Sequence, residues 1–326
     1  MFDNVRLKLK HNFSPDELET FCSRHNLAKE PTANVYSNRA LKNLTQNKGI
    51  YIKVEPANGV VKIECSLHKL YNEITSGKRQ NWNDFNFEQA QTAAEWLQSW
   101  LGLELQAAKV VRFELGINIE CSHPPETYMK QLDCVTVNNR AMRILQDVYK
   151  KEYKQYSTNR SKDKRIIYVF YDKTFEARSK YTDSEDKNSV PDNILRIEMK
   201  YKRVSGLEFK ELMSRVFRLE LLREFAQRFT DGLKFITQQK QPHKLTPKQF
   251  ELYKALKRHG KNKEIAASRE EYKAKRISKR QYYYKLHLIE KLLEITEDLE
   301  AVSGEVEELQ GKIKTKIERL QKETAM

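Results

Sequence analysis

The chain has 326 residues and a mass of 38.6 kDa, room for about two domains. Hydrophobic residues make up 39% and charged residues 32%, and 60 Lys and Arg against 45 Asp and Glu leave a formal charge of +15, which suits a polyanionic partner. Wholesale disorder is excluded, and with no run of about 18 apolar residues and no apolar core in MFDNVRLKLKHNF, neither a membrane span nor a secretory signal is predicted.

The first 60 residues are mixed in character. Ser14-Pro15-Asp16-Glu17 predicts a helix start, with Ser as the cap, Pro in the first helical position and acids in the first turn. IYIKVEPANGVVKIECSLHKL reads as two strands turned at Asn58-Gly59. In the second strand Val61, Ile63, Cys65 and Leu67 share one face, and Lys62, Glu64, Ser66 and His68 the other. Phe87, Ala90, Ala94, Leu97 and Leu101 then recur at helical spacing, and Gly102 suits the end of that helix. KVVRFELGINIE alternates again, with Val111, Phe113, Leu115, Ile117 and Ile119 toward the core and Arg112, Glu114, Gly116 and Asn118 opposite. A basic helical stretch rich in Tyr and Lys is expected over residues 125–157, and STNRSKDK reads as a loop.

Part of this pattern then recurs. RIIYVFYDKTFEARS resembles VKIECSLHKLYNE. After the polar loop TDSEDKNSVPDN, NILRIEMKYKR mirrors VVRFELGINIE, with Arg196 and Glu198 in the places of Arg112 and Glu114. Leu195, Ile197, Met199 and Tyr201 make its core face. The fold expected is α+β: an antiparallel-rich sheet from two pseudo-repeated β-α-β units, about residues 50–130 and 160–235, in a domain of residues 1–240 with helices on one face.

The rest is helical and basic. Thr246-Pro247 opens a helix that Gly260 ends, Lys263-Glu264-Ile265-Ala266-Ala267 opens a short second one, and Ser278 caps a third beginning Lys279-Arg280-Gln281-Tyr282. Residues 241–287 thus have a helix-turn-helix outline, with Lys279, Arg280 and Gln281 where a recognition helix meets base edges. The other reading is a basic helical hairpin that touches phosphates alone. Leu288, Leu292, Ile295, Leu299, Val302, Val306, Leu309 and Ile313 step alternately by four and three, which predicts a coiled coil over residues 288–326. Its partner is another protomer, a host replication factor or the chain itself.

Nucleotide cofactors are not expected, because no G-x-G-x-x-G or P-loop occurs. Cys22, Cys65, Cys121 and Cys134 lack C-x-x-C spacing, which argues against a zinc knuckle and for reduced thiols in a cytoplasmic protein. One face of the paired strands repeatedly carries ionisable groups: Glu64, His68, Arg112, Glu114, Arg196 and Glu198. It is either a solvated, salt-bridged surface or the floor of a cleft that binds a divalent metal and a phosphate. A carboxylate and an imidazole on adjacent strands could hold Mg²⁺ or Mn²⁺, which polarises a phosphodiester. Arg112 or Lys69 could neutralise the same group. Cleavage of DNA that conserves bond energy needs a protein nucleophile, and tyrosine leaves a reversible phosphotyrosine. Tyr168 and Tyr171 lie beside Asp172 and Lys173, and a lysine there could lower the phenol pKa or take its proton.

SLHKLYNE, NWNDFNFEQAQTAAEWL and VVRFELGINIECSHPPETYMKQL resemble the replication proteins of filamentous phages and related plasmids, the gene II/gene X type. YDKTFEAR and NILRIEMKYKR do so too, and are also similar to staphylococcal-plasmid rolling-circle initiators. The likeness covers roughly residues 50–235. It implies a metal-dependent, sequence-specific DNA-nicking enzyme of a bacterial host's cytoplasm that becomes linked through tyrosine and starts rolling-circle replication from the freed 3′-hydroxyl. Many such initiators bind metal with a His-hydrophobe-His strand, which this chain lacks. His68 stands alone, so Glu114 is the expected second ligand, and Asp172 with Glu198 is the alternative. The Tyr-x-x-Lys pattern of the wider superfamily, at Tyr272–Lys275 and Tyr282–Lys285, is read as coincidental in a Lys- and Tyr-rich helix. The expected nucleophile is Tyr171, then Tyr168. Alternation favours Tyr168 if Asp172 faces the cleft and Tyr171 if Lys173 does.

The sequence therefore predicts a rolling-circle initiator that binds an origin duplex through its basic helices and a single strand in the sheet cleft. Its rivals are a non-enzymatic helix-turn-helix regulator, a related relaxase or single-strand transposase, and, more remotely, an RNA-binding protein.

Overall fold

The computed structural model describes residues 2–31, 34–38, 48–136, 145–147, 149–156, 165–235, 246–299 and 304–325. The chain forms two compact units, Met1–Phe235 with Glu305–Met326, and Ile236–Gly304.

Strand β1 (Phe2–Lys10) alternates buried Val5, Leu7 and Leu9 with exposed Arg6, Lys8 and Lys10. Helix α1 (Pro15–Arg24) begins as predicted: Ser14 and Glu17 each accept the other's backbone N–H, two hydrogen bonds that satisfy orphan donors of the first turn. Short strands β2 (Ala28–Lys29) and β3 (Tyr36–Ser37) lead to β4 (Tyr51–Glu55) and β5 (Val60–Ser66). The β4–β5 turn is a 3₁₀ turn over Pro56–Asn58 that closes at Gly59, whose φ of +54° is costly for any other residue type.

The β5 strand stops at Ser66. Its hydroxyl accepts the Lys69 N–H at 3.2 Å and so caps α2 (Leu67–Ser76). His68 therefore sits in a helix's first turn, not on the strand face with Lys62 and Glu64. Helix α3 (Phe87–Leu101) buries Phe87, Ala90, Ala94, Leu97 and Leu101, the spacing read from sequence, and ends at Gly102 with φ +67°. Strand β6 (Lys109–Glu120) buries Phe113, Leu115, Ile117 and Ile119. A register shift against β1, between Arg6 and Leu7, then turns Val110 rather than Val111 into the core.

The helix expected over residues 125–157 is confined to α4 (Pro125–Met129) among the described residues. It is followed by strands β7 (Leu132–Val135), β8 (Leu145–Asp147) and β9 (Glu152–Tyr156). Tyr and Lys fit either structure, and tertiary pairing decides. Tyr153 and Gln155 face inward at strand period, and the Gln155 amide bonds both the N–H and the carbonyl of Val135. STNRSKDK lies outside the described residues. Strand β10 (Arg165–Asp172) and helix α5 (Lys173–Arg178) follow, then α6 (Ser184–Asn188) inside the stretch read as loop, and β11 (Ile194–Lys202). Helices α7 (Phe209–Leu212) and α8 (Arg215–Ala226), a π-helical turn and strand β12 (Leu233–Phe235) complete this part of the chain.

Among the described residues the main sheet has ten strands in the order β2-β3-β4-β5-β1-β6-β11-β10-β9-β8, with neighbours antiparallel throughout. Strands β10 and β11 are neighbours, but β1 is inserted between β5 and β6. The two similar strand–helix–strand sequences thus enter the sheet with different connectivity. On one face Phe113, Leu115, Ile117, Phe170, Ile197 and Met199 form the core. Phe87 of α3, Phe217 of α8 and Phe229 lie against aromatic rings of that face.

The second unit packs α9 (Pro247–His259), α10 (Lys261–Lys273) and α11 (Lys279–Leu299) around Tyr253, Leu256, Ile289 and Leu292. Thr246 caps α9 as predicted, while α10 starts directly after Gly260 and is as long as α9. Helix α12 (Gly304–Ala325) belongs to the first unit, where Leu309, Ile313, Ile317 and Leu320 enter the sheet core. The heptad-spaced residues are therefore divided: Leu288 and Leu292 pack within the helical unit, Leu309 and Ile313 against the sheet. An apolar stripe at that spacing needs an apolar surface, not specifically a second coil. No helix among the described residues is long and apolar enough to cross a membrane.

Candidate functional site

The face of the sheet opposite the aromatic core is buried as well, and it is charged. Register sets its rows. Tyr171, Arg196 and Asn118 lie side by side, then Val169, Glu198 and Gly116, then Ile167, Lys200 and Glu114. Gly116 makes room for the middle row. A Cβ there would come within 2.9 Å of Arg196 Nη2 and of Glu198 Cγ.

Arg196 is the hub. Its guanidinium donates to Asp3 Oδ2 at 2.9 Å, Asn118 Oδ1 at 3.0 Å and Glu198 Oε1 at 2.9 Å, with all four residues buried. Burial alone would raise the Asp3 carboxyl, but Arg196 foremost, with Lys173, holds it far below the usual carboxylate range. Asp3 also accepts from Ser66 Oγ and from Asn81 Nδ2. Burial opposes the Glu198 charge too, yet Lys200, 2.8 Å away, and Arg196 keep that carboxyl below its ordinary value.

Tyr171 donates its hydroxyl hydrogen to Glu198 Oε1 at 3.0 Å. Burial and the Glu198 charge push its phenol well above the ordinary 10, so the proton stays on oxygen at neutral pH with a carboxylate in line to receive it. Tyr168 lies on the opposite face, edge-on to Phe229. Its hydroxyl is buried without a partner among the described residues, and burial raises it to about 12.

Lys173, the first residue of α5, is fully buried. Its ammonium lies 2.7 Å from Asn81 Oδ1 and 2.7 Å from Glu176 Oε2, and 5.8 Å from the Tyr171 ring centre. Burial, and next to it the Arg196 charge, bring it down to about 7. Lys69 is lowered mainly by burial. Of the two polar residues at the β10–α5 junction, Lys173 joins the charged face, and Asp172 caps α5 by accepting the Phe175 N–H at 2.8 Å.

The four residues read as metal ligands are not brought together. Asp172 caps a helix. Glu114 is paired with Arg112, accepts from Asn4 at 2.7 Å and shares Lys200 with Glu198. No three His, Cys, Asp or Glu side chains converge among the described residues. Besides Glu198 Oε2, which faces Lys200, His68 is the other of the four with a buried atom free of hydrogen bonds among the described residues. Its Nε2 meets Asn83 Oδ1 at 2.8 Å, and Asn83 turns its amide nitrogen to Asn72 Oδ1 at 3.0 Å. That fixes Nε2 as the protonated nitrogen. Burial keeps the ring neutral, stacked on Phe85, and leaves the Nδ1 lone pair buried without a partner among the described residues. After burial, the Asp3 charge acts on it most strongly. A neutral imidazole nitrogen suits a divalent ion with mixed N/O preference.

Sequence reasoning missed Asp3, Asn81, Asn83, Asn118's part in the network, Lys180 and Lys200. One signal was present: in β1, Phe2 and Asp3 break the alternation that Val5 to Lys10 keep, and both are buried. A cleft of about 730 Å³ opens beside this network, bounded by Trp82, Asn83, Asn118 and α12 residues Lys312, Lys316 and Arg319. Lys316 and Arg319 pair with Asp84, and Glu308 accepts from Tyr128 and Ser122.

In the helical unit Lys279 and Arg280 are exposed at the start of α11, beside exposed Tyr283 and Tyr284. Gln281 is engaged. Its side-chain oxygen accepts the Ser278 N–H at 2.8 Å in a capping box. Comparison with family models, with curated proteins and with solved structures gives no match to this chain.

Proposed function

We propose that the protein is a DNA-nicking strand transferase of the rolling-circle initiator kind, with Tyr171 as nucleophile. The observation that carries this reading is the Tyr171 hydroxyl held on Glu198 in a buried face rich in cations. In the reaction Tyr171 Oη attacks a phosphodiester phosphorus, its proton passes to Glu198, and the bond from phosphorus to the 3′-oxygen breaks. The products are a 5′-phosphotyrosine link and, after the departing oxygen takes a proton, a 3′-hydroxyl that can prime synthesis.

Arg196 and Lys200 hold Glu198 in place and set its charge. Lys69 and Lys173 supply positive charge to the phosphate. His68 Nδ1 is the group that would hold Mg²⁺ or Mn²⁺, in place of Glu114 and Asp172. A divalent ion bound there supplies charge stabilisation to the phosphoryl oxygens. The basic, tyrosine-bearing start of α11 suits duplex phosphates and stacked bases of the origin.

The rival is a DNA-binding regulator whose sheet domain is a scaffold. Supercoiled DNA carrying the intergenic region next to the protein's own gene separates the two. The proposal expects metal-dependent nicked circles from the wild type and at least about 10³-fold less from Tyr171→Phe. Binding without a nick, in Mg²⁺ and in Mn²⁺, would favour the regulator.

A further inference from the structure

Lys173, Lys180 and Lys69 form a second feature of the charged face. Glu176 Oε2 lies 2.7 Å from the buried Lys173 ammonium, and the same carboxylate pairs with half-exposed Lys180. Lys69 is a third ammonium whose charge acts on Lys180, and it has no carboxylate at salt-bridge distance among the described residues. The nearby Asp3 carboxylate is already taken by Arg196, Asn81 and Ser66.

The imbalance extends through the whole network. Lys69, Arg112, Lys173, Lys180, Arg196 and Lys200 face Asp3, Glu114, Glu176 and Glu198, six cations to four carboxylates. Buried charge is ordinarily paired, because an unpaired ion loses its hydration without compensation. Here the excess gathers at one place, with Lys180 at the surface and Lys173 beneath it.

We infer that Lys69, Lys173 and Lys180 form a seat for a phosphate group, with Glu176 and Asn81 fixing the lysines around it. A phosphate presents several strong acceptor oxygens and supplies the missing negative charge. The seat deepens the nicking reading by giving the strand a phosphate anchor near Tyr171, but it rests on geometry of its own. The repulsion it relieves has a signature. Burial first, then neighbouring lysine and arginine charges, bring Lys173 and Lys180 to about 7. An anion among them raises both, so binding at slightly alkaline pH takes up protons.

The test is calorimetric titration of the full chain at pH 7.5 in buffers of different ionisation enthalpy. The probes are inorganic phosphate, the 5′-phosphorylated dinucleotide pTpT and the unphosphorylated TpT. The inference expects saturable binding with uptake of about one proton per ligand. Lys180→Met is expected to weaken binding about tenfold and to reduce the uptake. Lys180 is half exposed, so its variant tests the seat without disturbing the core. Preference for pTpT marks a terminal phosphate as the ligand, equal binding of TpT an internal diester, and binding of inorganic phosphate alone a free anion. No binding of any probe at millimolar concentration, or binding without proton uptake that ignores Lys180→Met, would overturn the inference. Tyr171→Phe is expected to bind phosphate as the wild type does, so failure of the nicking reaction leaves the seat standing.

Discussion

Asp3 and Arg196, 193 residues apart in sequence, meet in a buried ion pair of 2.9 Å that ties the first strand to β11 across β6. Breaking such a pair leaves the other charge unpaired in the interior. Arg196 also holds Glu198 and Asn118, so the charged face depends on it. Asp3→Ala is expected to cost about 3–5 kcal/mol of unfolding free energy, read by denaturant titration. The pair has a pH signature as well. The folded carboxyl lies far below its unfolded value, so its stabilisation is complete above the unfolded pKa of about 4 and lost as pH falls below it. Asp3→Asn removes that acid-side component, and stability profiles from pH 6 to about 3 should converge for the two proteins.

Gly116 gives a second test of this packing. It is needed for close approach, since its Cβ would meet Arg196 Nη2 and Glu198 Cγ at 2.9 Å. Gly116→Ala should destabilise the protein by about 1–3 kcal/mol and displace Glu198 from the Tyr171 hydroxyl. Thermal unfolding reads the first effect and titration of the phenol at alkaline pH the second. An unchanged melting temperature would contradict the close fit.

Helix α12 is part of the sheet unit's core, with Ile313 fully buried against it. Ile313→Ala is expected to cost about 2–5 kcal/mol, read as loss of protection from amide exchange in the sheet strands. If the helix were an appended coil, the sheet would be indifferent.

For the helical unit the prediction concerns salt. Lys279 and Arg280 are exposed and without ion pairs among the described residues. If each contacts a DNA phosphate, Lys279→Ala and Arg280→Ala should each reduce the slope of log K against log salt by about 0.9. Gln281→Ala acts differently, because Gln281 closes the cap of α11, and its expected effect is a loss of helix stability of about 1 kcal/mol.

Local signals were legible in the sequence wherever one residue decides the outcome. Ser14, Gly59, Gly102 and Thr246 stop or start elements where expected, and the core alternation of β6 and β11 was readable from Phe113 and Leu195 onward. The Ser66 cap was equally local but hidden by the alternation running through it, so His68 was placed on a strand. The Tyr- and Lys-rich stretch ending at Tyr156 was ambiguous because its structure comes from pairing with β10 and from the Gln155 contact with Val135. In the candidate site, Arg196, Glu198, Tyr171 and Lys173 could be read from alternation and proximity. Asp3 and Asn81 could not, because they reach the network from distant parts of the chain, and only the sheet order brings β1 beside β6.

The most direct test of the nucleophile is mass analysis of the DNA-linked peptide after nicking and trypsin digestion. Tyr168 and Tyr171 fall in one expected fragment, Ile166–Lys173, so fragmentation within it assigns the modified residue. The prediction is a nucleotide adduct on Tyr171, absent from Tyr171→Phe and unchanged in Tyr168→Phe. An adduct on Tyr168 or on a tyrosine of the helical unit, or nicking with no adduct, would contradict it.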